Sequence, residues 1–270
     1  MTNPKASLLA TMARARELKM FPQALAMMAS WNQNNPNDKI FDRDGFYPRN
    51  EEAKNRWKKF KTIKLIHLID DITRLTNYDK PILLLGESGV GKEIIGQALH
   101  GDRSGKYIAF NCAAVPEGLA ESILFGHEKG SFTGAYKGSA GVFGDAEDGT
   151  IFLDEIGYAS HKLQATLLRA VETGTIYTVG GSEKEYKARI VFATSRENGV
   201  LDDLKSRLCA FTFRIPPLRE RMEDIVKILD EVDKEQVFPR DYIWREESLM
   251  YNVRSVLGAV ERYKFYEKLP

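Results

Sequence analysis

The chain has 270 residues, 43% of them hydrophobic and 29% charged, with a formal net charge of +1. That balance excludes a molecule drawn by its overall field to nucleic acid or an anionic membrane, and no apolar run reaches the roughly 18–20 residues that span a bilayer. Two cysteines, Cys112 and Cys209, cannot form a disulfide framework and no secretory signal precedes them, which points to a reducing, cytoplasmic setting.

Residues 6–30 are rich in Ala, Met and Leu and carry Arg14, Arg16 and Lys19. Their composition is like that of an amphipathic transit peptide, but one or two short packing helices broken near Pro22 explain it more simply. Residues 31–50 are rich in Asn, Asp and Pro and read as loop or linker. Asp42, Asp44, Gly45 and Glu51 fall at calcium-loop positions there. Ile40 occupies the first ligand place and Pro48 lies inside the loop, so calcium binding is rejected. RWKKFKTIK (residues 56–64) interleaves Trp57 and Phe60 with cations; a solvated helix face accounts for it better than a nucleic-acid contact. Ile63, Ile66, Ile69 and Ile72, with Leu65, Leu68 and Leu75, then mark an amphipathic helix.

From Pro81 onward, short apolar strands alternate with helical patterns. Strands are expected at 82–85, 107–111, 151–153, 190–193 and 211–215, and helices at 92–100, 116–125 and 162–172. Such alternation predicts an α/β sandwich around a mostly parallel sheet, which places its ligand at the carboxyl ends of the strands.

The first strand runs into GESGVGKE: Gly86, Glu87, Ser88, Gly89, Val90, Gly91, Lys92 and Glu93. The spacing is that of a P-loop, whose backbone N–H groups and helix N-terminus cradle phosphates while Lys92 reaches the β- and γ-phosphates. Glu93 stands where such loops usually carry a magnesium-binding Ser or Thr. The alternative, a glycine turn that merely starts a helix, explains neither the lysine nor the motifs downstream of it. GTIFLDEIG (residues 149–157) buries a strand and then exposes Asp154 and Glu155 at its end. Asp154 is suited to hold magnesium and Glu155 to polarise an attacking water. Thr194 and Ser195 end another buried strand, either as simple strand-end caps or placed to orient water and register loss of the γ-phosphate. Between these motifs, Gly130, Ser131, Phe132, Thr133, Gly134 and Ala135 set an aromatic and a hydroxyl between glycines. A Phe on a mobile loop is costly to leave in water unless a partner covers it, so the loop reads as a finger for another protein.

With these residues in place, the chain resembles the bacterial enhancer-binding proteins, the AAA+ ATPase activators of sigma-54 RNA polymerase. The likeness covers residues 61–270 and is dense between 81 and 221. GESGVGKE matches the family's P-loop, in which Glu follows the lysine, so Glu93 ceases to be anomalous. FNCAAVPE (residues 110–117) matches the segment whose asparagine, Asn111, is implied to restrain the catalytic glutamate. FGHEKGSFTGA (residues 125–135) matches the signature loop that contacts sigma-54. GTIFLDEIG, LLRAVETGTIYTVGG (residues 167–181) and IPPLRERMEDI (residues 215–225) occur in the family's order.

The resemblance implies a P-loop AAA+ fold with ATP and Mg2+ as cofactors, sigma-54 and RNA polymerase holoenzyme as partners, and self-assembly into a ring, hexameric in the family. It also implies three segments: residues 1–55 of unknown role, an ATPase domain at 56–216, and a shortened α-helical lid at 217–270. Of two family arginines spaced six apart, Arg207 matches the second, the implied arginine finger, whereas Leu201 replaces the first. NVRSV (residues 252–256) resembles the lid motif and makes Arg254 the second sensor arginine, although Leu249, Met250 and Tyr251 replace the usual Trp-Pro-Gly. No helix-turn-helix is seen in this chain. Two other readings stand beside an ATP-driven activator of sigma-54: a remodeller of a different protein, and a nucleotide-binding relative with little turnover.

Overall fold

The computed structural model describes residues 75–266, apart from residues 77, 134, 223, 234, 240 and 241 and the side chains of residues 227, 231 and 266. The chain divides into two units, Met1–Gly45 and Phe46–Pro270, and all described residues belong to the second. The expected N-terminal helices, the rejected calcium loop, the basic run, the isoleucine-rich helix and the 55/56 boundary lie outside the described residues.

The elements in chain order are β1 (Ile82–Leu85), α1 (Lys92–His100), β2 (Tyr107–Asn111), α2 (Glu117–Phe125), α3 (Gly141–Asp145), β3 (Thr150–Asp154), α4 (His161–Thr173), β4 (Thr175–Tyr177), β5 (Glu183–Glu185), β6 (Arg189–Thr194), α5 (Asp202–Leu208), β7 (Thr212–Arg214), α6 (Asp224–Val232) and α7 (Val253–Tyr266). Five strands form a parallel sheet in the order β2-β3-β6-β1-β7, and β4 and β5 pair as a separate antiparallel hairpin. The central strands β1 and β6 are buried along their whole length and β3 nearly so, whereas edge strands β2 and β7 are partly open. That is why ILLL, TIFLD and RIVFAT read as apolar runs: a parallel strand covered on both faces has no polar side to alternate.

Alternate residues nonetheless feed different cores. Leu83, Leu85, Ile151, Leu153, Ile190 and Phe192 pack on one face with Ala120 and Leu124 of α2 and Leu163 and Leu167 of α4. Ile82, Leu84, Phe152, Val191 and Ala193 pack on the other with Ile95, Ala98 and Leu99 of α1. Each fully buried Leu, Ile or Phe contributes about 1.5–3 kcal/mol of apolar burial. A third core joins Leu218, Ile225, Leu229, Phe238, Leu249, Val256 and Val260, all beyond the last strand.

Small shifts from the expected bounds have local causes. Pro116, expected to open α2, is its N-cap, extended at ψ 135. Phe211 and Ile215 flank β7 rather than belong to it: Phe211 closes a 3-10 turn, and the Ile215 N–H donates to Leu85 O at 2.7 Å. At the foot of β6, the buried Arg189 donates to Leu99 O at 2.7 Å, Leu75 O at 2.5 Å, Thr76 O at 2.8 Å and Tyr78 O. Burial, then the nearby charge of Arg103, pull its guanidinium down to about 9.

Candidate functional site

Strand β1 has β6 on one side and β7 on the other, so the chain reverses its direction of travel across the sheet there. An open parallel sheet forms a ligand crevice at the carboxyl ends beside such a reversal. The segments carrying Gly86, Asp154 and Thr194 all emerge at that edge, in register as Leu85 with Thr194 and Leu153 with Phe192.

The loop from Gly86 to Lys92 closes tightly around its own glycines. Gly91 has φ 103 and Gly89 has φ 78, a region L-residues with a Cβ rarely adopt. A Cβ on Gly89 would also collide with the Tyr251 carbonyl. Lys92 is buried, and its Nζ donates to Gly86 O at 2.8 Å and Glu87 O at 3.1 Å while lying 3.9 Å from Glu155 Oε1. Burial lowers its pKa, opposed by the negative charges of Glu155 and Asp154. Glu93 is exposed in the first turn of α1, where Gln97 Nε2 donates to its Oε1 at 3.5 Å.

Asp154 ends β3, and its Oδ1 accepts from the Glu155 N–H at 3.0 Å. Burial, then the Glu155 charge, raise its pKa, with Lys92 acting in the opposite sense. Glu155 adopts a left-handed conformation, φ 53 and ψ 43. For a non-glycine residue that geometry is strained and marks a position fixed by its surroundings. Its carboxylate accepts from the Ser195 N–H at 3.0 Å, from Ser195 Oγ at 2.9–3.0 Å and from Thr194 Oγ1 at 3.4 Å. Thr194 Oγ1 also accepts from the N–H groups of Gly157 at 3.3 Å and Arg196 at 3.0 Å.

Asn111, the expected restraint on the glutamate, is engaged elsewhere. It ends the edge strand β2, and its Oδ1 accepts from the Ala113 N–H at 2.9 Å, capping the next turn of the chain. Arg207 is exposed on α5 and forms no ion pair among the described residues. Arg254, at the start of α7, does reach the loop: its Nη1 donates to Ser88 Oγ at 2.8 Å.

The segment from Gly130 to Ala135 is folded back on itself. The Gly130 N–H donates to Ala135 O at 2.8 Å and the Ala135 N–H to Phe132 O at 3.0 Å. Phe132 stays 42% exposed with one side against His127, ring centroids 5.0 Å apart. His127 is pinned by Ser122 Oγ at 2.9 Å and Lys137 O at 3.0 Å, and its backbone bridges to Ser139 and Val179. Ser131 packs on Gly180, leaving no room there for a Cβ. Thr133 is exposed, and Gly134 lies outside the described residues.

Sequence reasoning missed a set of groups that join the glycine loop to the third core. Arg219 donates from Nη1 and Nη2 to the two oxygens of Glu87 at 2.8 and 2.6 Å. Asn252 Nδ2 donates to Glu87 Oε2 at 3.2 Å and Ser88 O at 3.0 Å, and its Oδ1 accepts from the Leu218 N–H at 2.6 Å. Arg221 donates to Val90 O at 3.0 Å and pairs with Asp224 at 3.2 Å. The sequence signals were the arginines of LRER and the asparagine that opens NVRSV, with no partner named for them. Among the described residues, no cluster of His, Cys, Asp and Glu has the makings of an all-protein metal site, and no helix is long and apolar enough to cross a membrane.

The residues fit magnesium–ATP. Lys92 is a buried ammonium resting on carbonyls, a position phosphate oxygens can take over. Asp154 is a desolvated carboxylate that a divalent ion would relieve.

A family model, Sigma-54 interaction domain, matches residues 60–213. The Nif-specific regulatory protein of Azotobacter vinelandii is 46% identical over 174 residues, 60% of this chain and 33% of that protein. The DNA-binding transcriptional regulator NtrC of Azospirillum brasilense is 46% identical over 165 residues, 57% of this chain and 34% of that protein. The chain therefore spans about a third of the length of these relatives. Among solved structures, NtrX from Brucella abortus in complex with ATP aligns with a TM-score of 0.62 at 22% identity, covering 94% of this chain and 56% of that one. That likeness shows the fold, a parallel α/β sheet flanked by helices.

Proposed function

The chain belongs to the Sigma-54 interaction domain family, and on that premise we propose that it is the AAA+ engine of a sigma-54-dependent activator. It would bind and hydrolyse ATP and use the loop at residues 130–135 to remodel sigma-54-bound RNA polymerase, allowing transcription to start. One observation carries the reading: Lys92 and the strained Glu155 lie 3.9 Å apart at the strand ends of a domain that also carries the GSFTGA loop.

Magnesium–ATP supplies the γ-phosphoryl group and the ion that balances its charge. The backbone N–H groups from Gly86 to Lys92 grip the phosphates, and Lys92 exchanges carbonyl oxygens for phosphate oxygens. Asp154 would hold the metal. Glu155, set by Ser195, orients the attacking water and takes its proton. Thr194 senses the γ-phosphate from the adjacent strand end. Asn111 restrains Glu155 only once the turn bond to Ala113 is given up. Arg254 reads the phosphates from the lid, and Arg207 serves a neighbouring subunit in a ring. Residues 56–216 form the ATPase domain and 217–270 the lid, while residues 1–55 have no assigned role.

The test measures nucleotide affinity, phosphate release and capture of sigma-54 with a transition-state analogue. Lys92→Ala should lose nucleotide binding. Glu155→Gln should keep binding while turnover falls at least ~100-fold, the usual scale for losing a general base. Thr133→Ala should hydrolyse ATP but fail to hold sigma-54. Unchanged affinity in Lys92→Ala, or sigma-54 capture by Thr133→Ala equal to the parent, overturns the corresponding assignment. A second reading, a nucleotide binder with little turnover, is favoured by one feature: Leu201 packs against the core where the family carries an arginine. Phosphate release by the parent protein decides between them.

A further inference from the structure

Glu87 presents a puzzle that the proposed reaction does not resolve. It is the only carboxylate between Gly86 and Lys92, in a loop whose task is to gather N–H dipoles and an ammonium around a polyanion. In a partly desolvated site, a negative charge beside the phosphates repels them. A bare carboxylate in this position would therefore oppose the ligand it helps to enclose.

The structure supplies the answer from the turn at Leu218–Glu220, after β7. Arg219 meets both oxygens of Glu87 in a bidentate pair at 2.6 and 2.8 Å, the geometry in which a guanidinium neutralises a carboxylate most completely. The pair is partly solvated, with side chains 36% and 44% exposed, so its contribution to stability is modest. Its electrostatic effect on a third charge beside it does not depend on that contribution. Asn252 adds a third donor to the same carboxylate. It is fully buried, sits at φ 54, and also bonds Ser88 O and the Leu218 N–H. The carboxylate of Glu87 is accordingly held below its ordinary range, first by the Arg219 hydrogen bond.

We infer that Arg219 is a positioning residue that acts on nucleotide through Glu87. By cancelling that charge it makes the glycine loop receptive to phosphate, and by spanning from the segment after β7 it fastens the lid to the loop it neutralises. Lid attachment and phosphate affinity are thereby set by one ion pair. The inference rests on the reading of the loop as an ATP site.

A charge-cycle titration tests it. ATP affinity is measured by direct titration for the parent, Arg219→Ala, Glu87→Gln and the double variant, with thermal unfolding as a check on folding. Arg219→Ala should weaken ATP by ~10-fold or more, the equivalent of about 1.4 kcal/mol, and the loss should shrink as salt rises. Glu87→Gln, which leaves an unopposed guanidinium beside the phosphates, should bind ATP more tightly than the parent. The decisive variant is the double one: removal of the Glu87 charge should recover at least ~5-fold of the affinity lost in Arg219→Ala, since the repulsion has gone. A double variant as weak as Arg219→Ala overturns the inference and makes Arg219 a direct phosphate ligand or a purely structural residue. An Arg219→Ala protein that binds like the parent overturns it too. A parent protein that binds no ATP defeats the ATP-site reading itself, and is distinguishable because no variant is then needed.

Discussion

At the scale of single residues, the site is built against its own stability. Asp154 is desolvated beside a second carboxylate, and its pKa is raised from the ordinary 3.8. A carboxyl whose folded pKa lies above its unfolded one binds more protons when folded, so stability is greatest below the ordinary value and falls as pH rises through the raised one. At neutral pH the folded protein therefore bears the full cost of that charge. Asp154→Asn should raise the midpoint of thermal unfolding at pH 7, by no more than about 2–4 °C because water still screens part of the carboxylate. The gain should vanish in acid, where the parent carboxyl is itself protonated, and a melting series across pH checks both halves. Metal-dependent nucleotide binding should be lost in the same variant, the usual exchange of function for stability. Glu155 shows the same economy in its backbone, left-handed where its bonds to Ser195, Thr194 and Asp154 hold it.

Among the elements, what could be read from sequence tracks what was buried. ILLL and RIVFAT had to be central strands because only a strand covered on both faces is apolar throughout. Asp154 and Glu155 were legible for the same reason, as the first charges after such a run. The hairpin β4–β5 escaped because Glu183, Lys184 and Glu185 are all exposed and carry no alternation to detect. Helix α5 escaped because it is short and mostly solvated. The Glu87–Arg219 pair could not be read, since it closes across 132 positions and the arginines of LRER do not name a partner. Gln164 belongs to this hidden class. Fully buried on α4, it donates to Ala159 O at 3.1 Å and Gly199 O at 2.8 Å and accepts from the Leu201 N–H at 2.8 Å. It thereby fixes the segment that leads from β6 to α5. Gln164→Ala strands buried backbone groups and should cost roughly 2–4 kcal/mol in urea unfolding, with the denaturant slope unchanged. A loss below about 0.5 kcal/mol, within the range of ordinary surface substitutions, would show that water replaces the amide there.

For the whole molecule, the proposed reaction asks for more than one chain. Arg207 is exposed at the far end of α5 and pairs with no carboxylate among the described residues, which suits a cation reserved for another subunit. Phosphate release per subunit should rise with protein concentration and then level off as assembly completes. Mixing Arg207→Ala with Lys92→Ala should restore part of the activity that each lacks alone, since an intact site can form where a subunit with Lys92 meets one with Arg207. Mixtures as inactive as their components would place Arg207 outside the shared site. Any such work with an excised piece meets a constraint set at the opposite edge of the sheet. Arg189 is caged by the carbonyls of Leu75, Thr76 and Tyr78 together with that of Leu99. A fragment that began at the first strand would discard three of those four partners and uncover the guanidinium they enclose. The cutting point for a self-standing version of this domain is therefore dictated by a buried arginine, and lies upstream of Leu75.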